Sequence, residues 1–148
     1  MRIDPEHHEY ESHYLLVRSG GQYCAVPVEA TKLVRKAPTL YPLPGSAARL
    51  LGLGRVAGEP VAVVDLHALL DPASGRSGGH ALTVVVRRPG GSSSLGLAVD
   101  EAFGVITIAD RDNRSEHDPG WIAGRTSVEG RVVVILDPER LFVEDGGG

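Results

Sequence analysis

Six histidines, one cysteine and a scatter of aspartates are the residues of this 148-residue chain that could do chemistry. The histidines, His7, His8, His13, His67, His80 and His117, share no metal-ligand spacing. A metal site needs ligands held on one framework, and the stretch carrying His7 and His8 has no periodic scaffold. His67 falls on a short helix, where a solvated face is expected. Cys24 sits inside an apolar run and reads as buried filler; a single cysteine also excludes an internal disulfide and fits a reducing compartment. Asp110-Arg111-Asp112-Asn113 opens like a calcium loop, but Arg114 stands where a ligand belongs, the sixth position is not glycine and no helices flank it. Gly52-Leu53-Gly54 with Gly58 has the look of a phosphate loop, yet a strand follows where a long helix is required. Asp65 and Asp137 read as helix N-caps rather than as a catalytic carboxylate pair. Neither a nucleophile–base pair nor a metal or cofactor set emerges, so the chain is not read as an enzyme. A domain without such a site works through its surface, and Arg35, Lys36, Arg55 and Arg76 are candidate contacts.

The elements that must position that surface are short strands. His13–Arg18 and Tyr23–Val28 read as a hairpin about Ser19-Gly20-Gly21-Gln22, with Pro27 suggesting an edge or a bulge. Glu29–Arg35 is open between strand and helical turn. Pro38, Pro42 and Pro44 make Ala37–Gly45 an extended link. Ser46–Leu51 reads as a helical turn with Ser46 as a possible cap. Leu50–Leu70 reads as a glycine-punctuated turn, a buried strand from Pro60 to Val64 and a short helix capped by Asp65, with the turn itself over Leu53–Glu59. Ala73–Gly79 is a Gly/Ser-rich connector. Strands follow at His80–Arg88, Leu95–Ala102, Gly104–Ala109 and Val132–Leu136, and Asp137-Pro138 opens a last short helix.

The two ends of this pattern repeat. A gap-free shift of 72 residues carries Gly52 onto Gly124, Val56 onto Val128, Gly58 onto Gly130, Asp65 onto Asp137 and Leu69 onto Leu141. It also carries Glu29-Ala30 onto Glu101-Ala102 and Val34 onto Ile106. A period that long is not a solenoid unit. It predicts an all-β protein of two similar small β-barrels, each of about five short strands with short helical turns, sharing an apolar seam. The expected division is a flexible tail at 1–12 and one domain at 13–143. Within it the first barrel covers 13–72, the connector 73–79 and the second barrel 80–143.

Composition narrows the partners. A formal charge of −4 and a pI near 5.8 leave no basic footprint for nucleic acid. Aromatics are also few for a single-strand-binding β-barrel, the alternative from another class. No run approaches the roughly 18 apolar residues of a membrane span, and the N-terminus lacks the apolar core of a signal peptide. A cytoplasmic protein without membrane insertion is expected.

The assembled motifs resemble the CheW family of chemosensory adaptors, from about Tyr14 to Phe142. The returning strand opens on Tyr23 and reaches Pro27, and Leu43-Pro44-Gly45 supplies the proline link. A Gly-x-x-Asn-x-Arg-Gly turn leading into Pro-Val-x-Asp-Leu is matched by Gly52–Gly58 and Pro60–Leu66, with one extra residue before the Asp. Gly96-Leu97-Ala98-Val99-Asp100, Ile122-Ala123-Gly124 and Leu136–Leu141 match the second half. The resemblance implies two SH3-like five-stranded β-barrel subdomains and a non-enzymatic coupling protein without cofactor. It would link the cytoplasmic tip of methyl-accepting chemoreceptors to the regulatory domain of the histidine kinase CheA, with other CheW-like proteins as further partners, recruited to chemosensory arrays. Carried over position by position, its partner-binding residues are Ala30, Lys32, Leu33, Arg35, Arg55, Ala57, Gly58, Glu59, Val99 and Asp100. Val28 and Val99 alternate inward as plausibly as outward. Two departures stand out: the family's Asn and Arg of the turn fall on Arg55 and Ala57, and its acidic residue after the returning strand falls on Leu33 beside Lys32. Losing a guanidinium fork and a carboxylate alters which surface fits. The expectation is a divergent member with altered partner choice, the alternative being a receptor linker that does not activate the kinase.

Overall fold

Short alternating and fully apolar runs give eleven strands among the described residues. They are β1 (Ser12–Ser19), β2 (Gln22–Pro27), β3 (Thr31–Lys36), β4 (Leu50–Val56), β5 (Glu59–Asp65), β6 (Leu82–Arg87), β7 (Ser94–Val99), β8 (Glu101–Ile108), β9 (Asp112–Asn113), β10 (Ile122–Val128) and β11 (Arg131–Leu136). Two short helices accompany them, α1 (Leu66–Leu70) and α2 (Pro138–Leu141). The computed structural model describes residues 12–74, 80–109, 112–113 and 115–142. The tail at 1–11, most of the 73–79 connector with Arg76, and Asp110, Arg111 and Arg114 of the calcium-like stretch lie outside the described residues.

The 72-residue repeat is present in the elements. β2, β4, β5 and α1 begin at 22, 50, 59 and 66, and β7, β10, β11 and α2 begin at 94, 122, 131 and 138. Hydrogen bonds repeat with them. Leu50 N donates to Ala47 O at 3.0 Å and Ile122 N to Pro119 O at 3.1 Å; Asp65 N donates to Arg49 O at 2.8 Å and Asp137 N to Trp121 O at 2.7 Å. The two aspartates cap their helices as expected. Asp65 accepts from Ala68 N, and Asp137 accepts from Glu139 N and Arg140 N ahead of Pro138.

The sheets, however, do not divide the chain at the connector. One runs β8-β1-β2-β11-β10-β9 and the other β3-β6-β7-β5-β4. The repeats have exchanged hairpins: β1–β2 joins strands of the second repeat, and β6–β7 joins strands of the first. The expected barrels at 13–72 and 80–143 are corrected accordingly. The exchange rests on two parallel ladders, Val133–Ile135 against Tyr23–Ala25 and Val63–Asp65 against Gly96–Ala98, together with the antiparallel pairings of β1 with β8 and β3 with β6. Nor do the sheets close into barrels. Each curls around a small core to which both of its outer long strands contribute: Ile108 with Ala123 and Val128 in one, Leu33 with Val56 in the other. The free edge of β4 is taken by Tyr41, which exchanges backbone hydrogen bonds with Leu53 (2.9 and 3.0 Å), and the free edge of β10 by β9. With those edges occupied, β3 and β8 are left without a strand to close on.

A third, larger cluster lies between the sheets. It joins Val17, Cys24 and Val26 of the six-stranded sheet to Val64, Val84, Leu97 and Val99 of the five-stranded one. Trp121 ties β10 to α1: its indole donates to the Leu69 carbonyl at 2.8 Å, which the end of a short helix leaves without a backbone partner. Burial pushes the Cys24 thiol up to about 12, since a thiolate loses hydration there.

Five local readings change. The break between the strands expected at Leu95–Ala102 and Gly104–Ala109 falls at Asp100, where the chain passes from β7 to β8. Gly52 and Gly54 lie within β4, so the turn shrinks from Leu53–Glu59 to Ala57-Gly58 alone. Gly52 is required there because the proline link crosses it; a Cβ would stand 2.6 Å from Tyr41 O, at φ +147°. Of the expected helical turn Ser46–Leu51, residues 46–49 form tight turns and Leu50 and Leu51 open β4, with Ser46 Oγ donating to Leu43 O at 2.6 Å. Pro27 ends an interior strand, past the residues that pair with β11. The undecided stretch after it is a 3-10 turn at Val28–Ala30, followed by β3.

Three outcomes follow. At pH 8 a thiol reagent labels Cys24 only as fast as the chain unfolds; above pH 9 the unfolded thiol ionises first, so stability falls with rising pH by up to about 1.4 kcal/mol per unit from this group. Prompt labelling of the native chain contradicts its burial. Gly52→Ala lowers stability by about 1–3 kcal/mol in denaturant titration. Ala57→Gly, which relieves a left-handed alanine, raises it by up to about 1 kcal/mol, and Ala57→Val lowers it.

Candidate functional site

Val56 pairs with Glu59, leaving Ala57 and Gly58 as a two-residue loop with φ of +51° and +84°. Both values suit a type I′ hairpin turn, whose twist matches that of the strands. The other repeat builds the same turn from Glu129 (φ +49°) and Gly130 (φ +79°). An L-residue in this conformation costs about 1–2 kcal/mol, so the alanine is held there by the paired strands on either side. Arg55 folds back over the turn, its Nη1 donating to Gly58 O at 3.0 Å. Lys32 Nζ lies 3.4 Å from Glu59 Oε1, an ion pair with both side chains in solvent and therefore worth about 0–1 kcal/mol. β3 and β4 stand at opposite ends of the strand order, and the curl of the sheet is what brings Lys32 to the turn. Five of the carried-over residues, Lys32, Arg55, Ala57, Gly58 and Glu59, thus meet at one exposed end of the five-stranded sheet.

The others do not join them. Leu33 is half-buried against the small core of that sheet. Arg35 is exposed, and its Nη1 donates to Val34 O at 3.2 Å. Ala30 is buried at the end of the 3-10 turn, beside a cleft of about 340 Å³ lined also by Tyr14, Glu29, Asp137 and Glu139. Val99 is fully buried in the central core. It ends an interior strand packed between the sheets, so its side chain is unavailable to a partner; of the two faces left open by alternation, the inward one holds. Asp100 turns its carboxylate inward, accepting from Gly20 N at 2.7 Å and lying 3.6 Å from Arg18 Nη1.

Sequence reasoning missed two apolar surfaces. One is Tyr41, Leu43 and Leu53, where the proline link lies along β4; Tyr41 is 68% exposed. The other is around Phe103 on the six-stranded sheet, while Val105 and Val132 are exposed on the opposite face of that sheet. Tyr23 and Phe103 stack with ring centroids 5.9 Å apart, and the Arg131 guanidinium lies 4.9 Å over the Tyr23 ring and donates to its hydroxyl. With Leu16 and Val128 they line a cleft of about 270 Å³. The available signal was composition: the chain has only two phenylalanines, and Phe103 sits in a strand apolar on both of its alternating faces. Among the described residues no group of three or more His, Cys, Asp or Glu is placed to hold a metal ion, and no helix is long and apolar enough to cross a membrane.

Comparison with known proteins agrees with this architecture. A family model for the CheW-like domain matches residues 13–145. Among solved structures, the crystal structure of the scaffolding protein TtCheW from Thermoanaerobacter tengcongensis superposes with a TM-score of 0.71 at 16% identity, covering 88% of this chain and 92% of that one. At that identity the likeness speaks for the fold alone. No curated protein matches the chain. On the strength of the match over residues 13–145, the chain belongs to the CheW family.

Proposed function

We propose that this chain is a non-enzymatic chemotaxis scaffold, present in the cytoplasm and recruited to chemosensory arrays, that couples methyl-accepting chemoreceptors to the histidine kinase CheA with altered partner choice. The observation that carries the reading is the exposed hairpin end of the five-stranded sheet. There the family pattern places Asn-x-Arg-Gly, and this chain presents Arg55, Ala57 and Gly58 beside the Lys32–Glu59 pair. A partner shaped for an arginine fork at 57 meets a methyl group, and the nearby guanidinium of Arg55 is spent on its own turn. A carboxylate-seeking group near 33 meets Leu33 and the ammonium of Lys32. Such mismatches reject one partner surface and admit another without changing the fold. The apolar residues around the hairpin, Tyr41, Leu43 and Leu53, supply contact area of the kind interfaces use, and an interface of about standard size or below suits an array in which many contacts add.

The test combines the chain with receptor-bearing membranes and kinase, reading sedimentation and kinase autophosphorylation. The chain is expected to sediment with receptor and to bind an ordinary CheA regulatory domain at least about tenfold more weakly than an ordinary CheW. Ala57→Arg is expected to recover about tenfold, the scale of one charge-assisted contact. Equal affinity at the outset, unchanged by Ala57→Arg, rules out altered partner choice; failure to bind either receptor or kinase rules out the adaptor. Sedimentation with receptor and no activation identifies a receptor linker.

A further inference from the structure

His80 sits just ahead of β6 at the seam between the sheets, its side chain 9% exposed. Nε2 is 3.2 Å from Asp65 Oδ2, and Nδ1 is 3.4 Å from Asp100 Oδ1. The two carboxylates belong to different parts of the fold. Asp65 ends β5 and caps α1. Asp100 is the single residue between β7 and β8, where the chain crosses from the five-stranded to the six-stranded sheet. Its other oxygen accepts from Gly20 N in the β1–β2 turn at 2.7 Å.

A neutral imidazole carries one N–H and one lone pair, and an ionised carboxylate only accepts. Whichever tautomer is present, a neutral His80 therefore turns a lone pair toward a carboxylate oxygen. Consistent with that conflict, Nδ1 of His80 and Oδ1 of Asp100 are buried with no hydrogen-bond partner among the described residues. A second proton makes both ring nitrogens donors, one for each carboxylate.

We infer that His80 is a proton-operated clasp between the two sheets: doubly protonated, it joins the helix cap at Asp65 to the crossover at Asp100, and singly protonated it holds only one of them. Among the described residues, the charged groups around it are those two aspartates, Arg18 on β1, and Glu101 at the start of β8, which draws Arg18 to 3.1 Å while Arg18 stays 3.6 Å from Asp100. His67 of α1 lies beyond Gly20, its ring against that glycine. The proton is held by both carboxylates in the folded chain and by water in the unfolded one. The clasp therefore strengthens the fold at low pH and is lost as pH rises. It sets how firmly the β1–β2 turn and the crossover are held against the five-stranded sheet, whichever partner the outer surfaces bind.

The experiment compares denaturant unfolding of the wild-type chain and His80→Gln at pH 6 and pH 8, with ¹⁵N imidazole resonances recorded on the wild type. The wild type is expected to lose about tenfold in its folding equilibrium constant between the two pH values beyond what His80→Gln loses, the scale of one charge-assisted hydrogen bond. Both ring nitrogens of His80 are expected to be protonated at pH 6. The same pH dependence in both proteins, or an Nδ1 resonance that stays that of a bare lone pair at pH 6, overturns the clasp. Should His80→Gln not fold, Asp100→Asn keeps an acceptor for Gly20 N and removes the anion facing Nδ1. It is expected to flatten the pH dependence in the same way, and an unchanged dependence is equally decisive against the proposal.

Discussion

Two parallel ladders of three residues each, β2 on β11 and β7 on β5, tie the N-terminal hairpin to the C-terminal strands and the middle hairpin to the first repeat. Parallel pairing requires cover on both faces, and here the cover comes from two directions. Val64 and Leu97 turn toward the core between the sheets, while Val63 and Ala98 turn toward the small core inside their own curled sheet. Because each ladder joins strands from different repeats, neither repeat owns a complete sheet. The seam between the sheets is built of the same strands as the sheets themselves, which is why a chain of this size is held as one unit.

The curl of each sheet has consequences at its ends. It brings β3 to the β4–β5 hairpin and so sets Lys32 beside Glu59, although their strands, β3 and β5, are three places apart in the sheet. It stops short of closure because the proline link and β9 occupy the edges that closure would use. The link packs so closely that β4 must carry glycine where Tyr41 crosses it. Prolines that read as a mere connection are thus part of the sheet edge, and they present Tyr41 and Leu43 to solvent next to the hairpin. Arg55 and Ala57, where the chain departs from the family's turn, lie at this end of the molecule.

The repeat was legible because it is written in residue types that geometry restricts: glycine after the left-handed turn residue and aspartate before each helix. Val56, Gly58 and Asp65 recur for architectural reasons, and the structure shows the same turn and the same cap in both copies. The candidate site was legible only in part. Arg55, Ala57, Gly58 and Glu59 are neighbours in sequence, and their grouping needed no fold. Lys32 joins them through the curl. Val99 could not be placed from alternation, since β7 is apolar on both faces and a period of two says nothing when both faces are buried. Phe103 and Val132 failed in the opposite sense: they are apolar yet exposed, and hydrophobicity alone does not report which side of a strand faces water.

The strand-rich class, the 72-residue repeat and the aspartate caps could be read from the residues alone, and the order of the motifs pointed to the CheW family. Each of these depends on contacts within a few residues or on a pattern copied along the chain. The exchange of hairpins between the repeats, the curl of sheets that do not close, the reduction of the turn to two residues and the place of His80 between Asp65 and Asp100 came from the folded arrangement. All but the turn join residues far apart in sequence. They depend on which edge is already occupied and which face is already covered, and no local pattern encodes that.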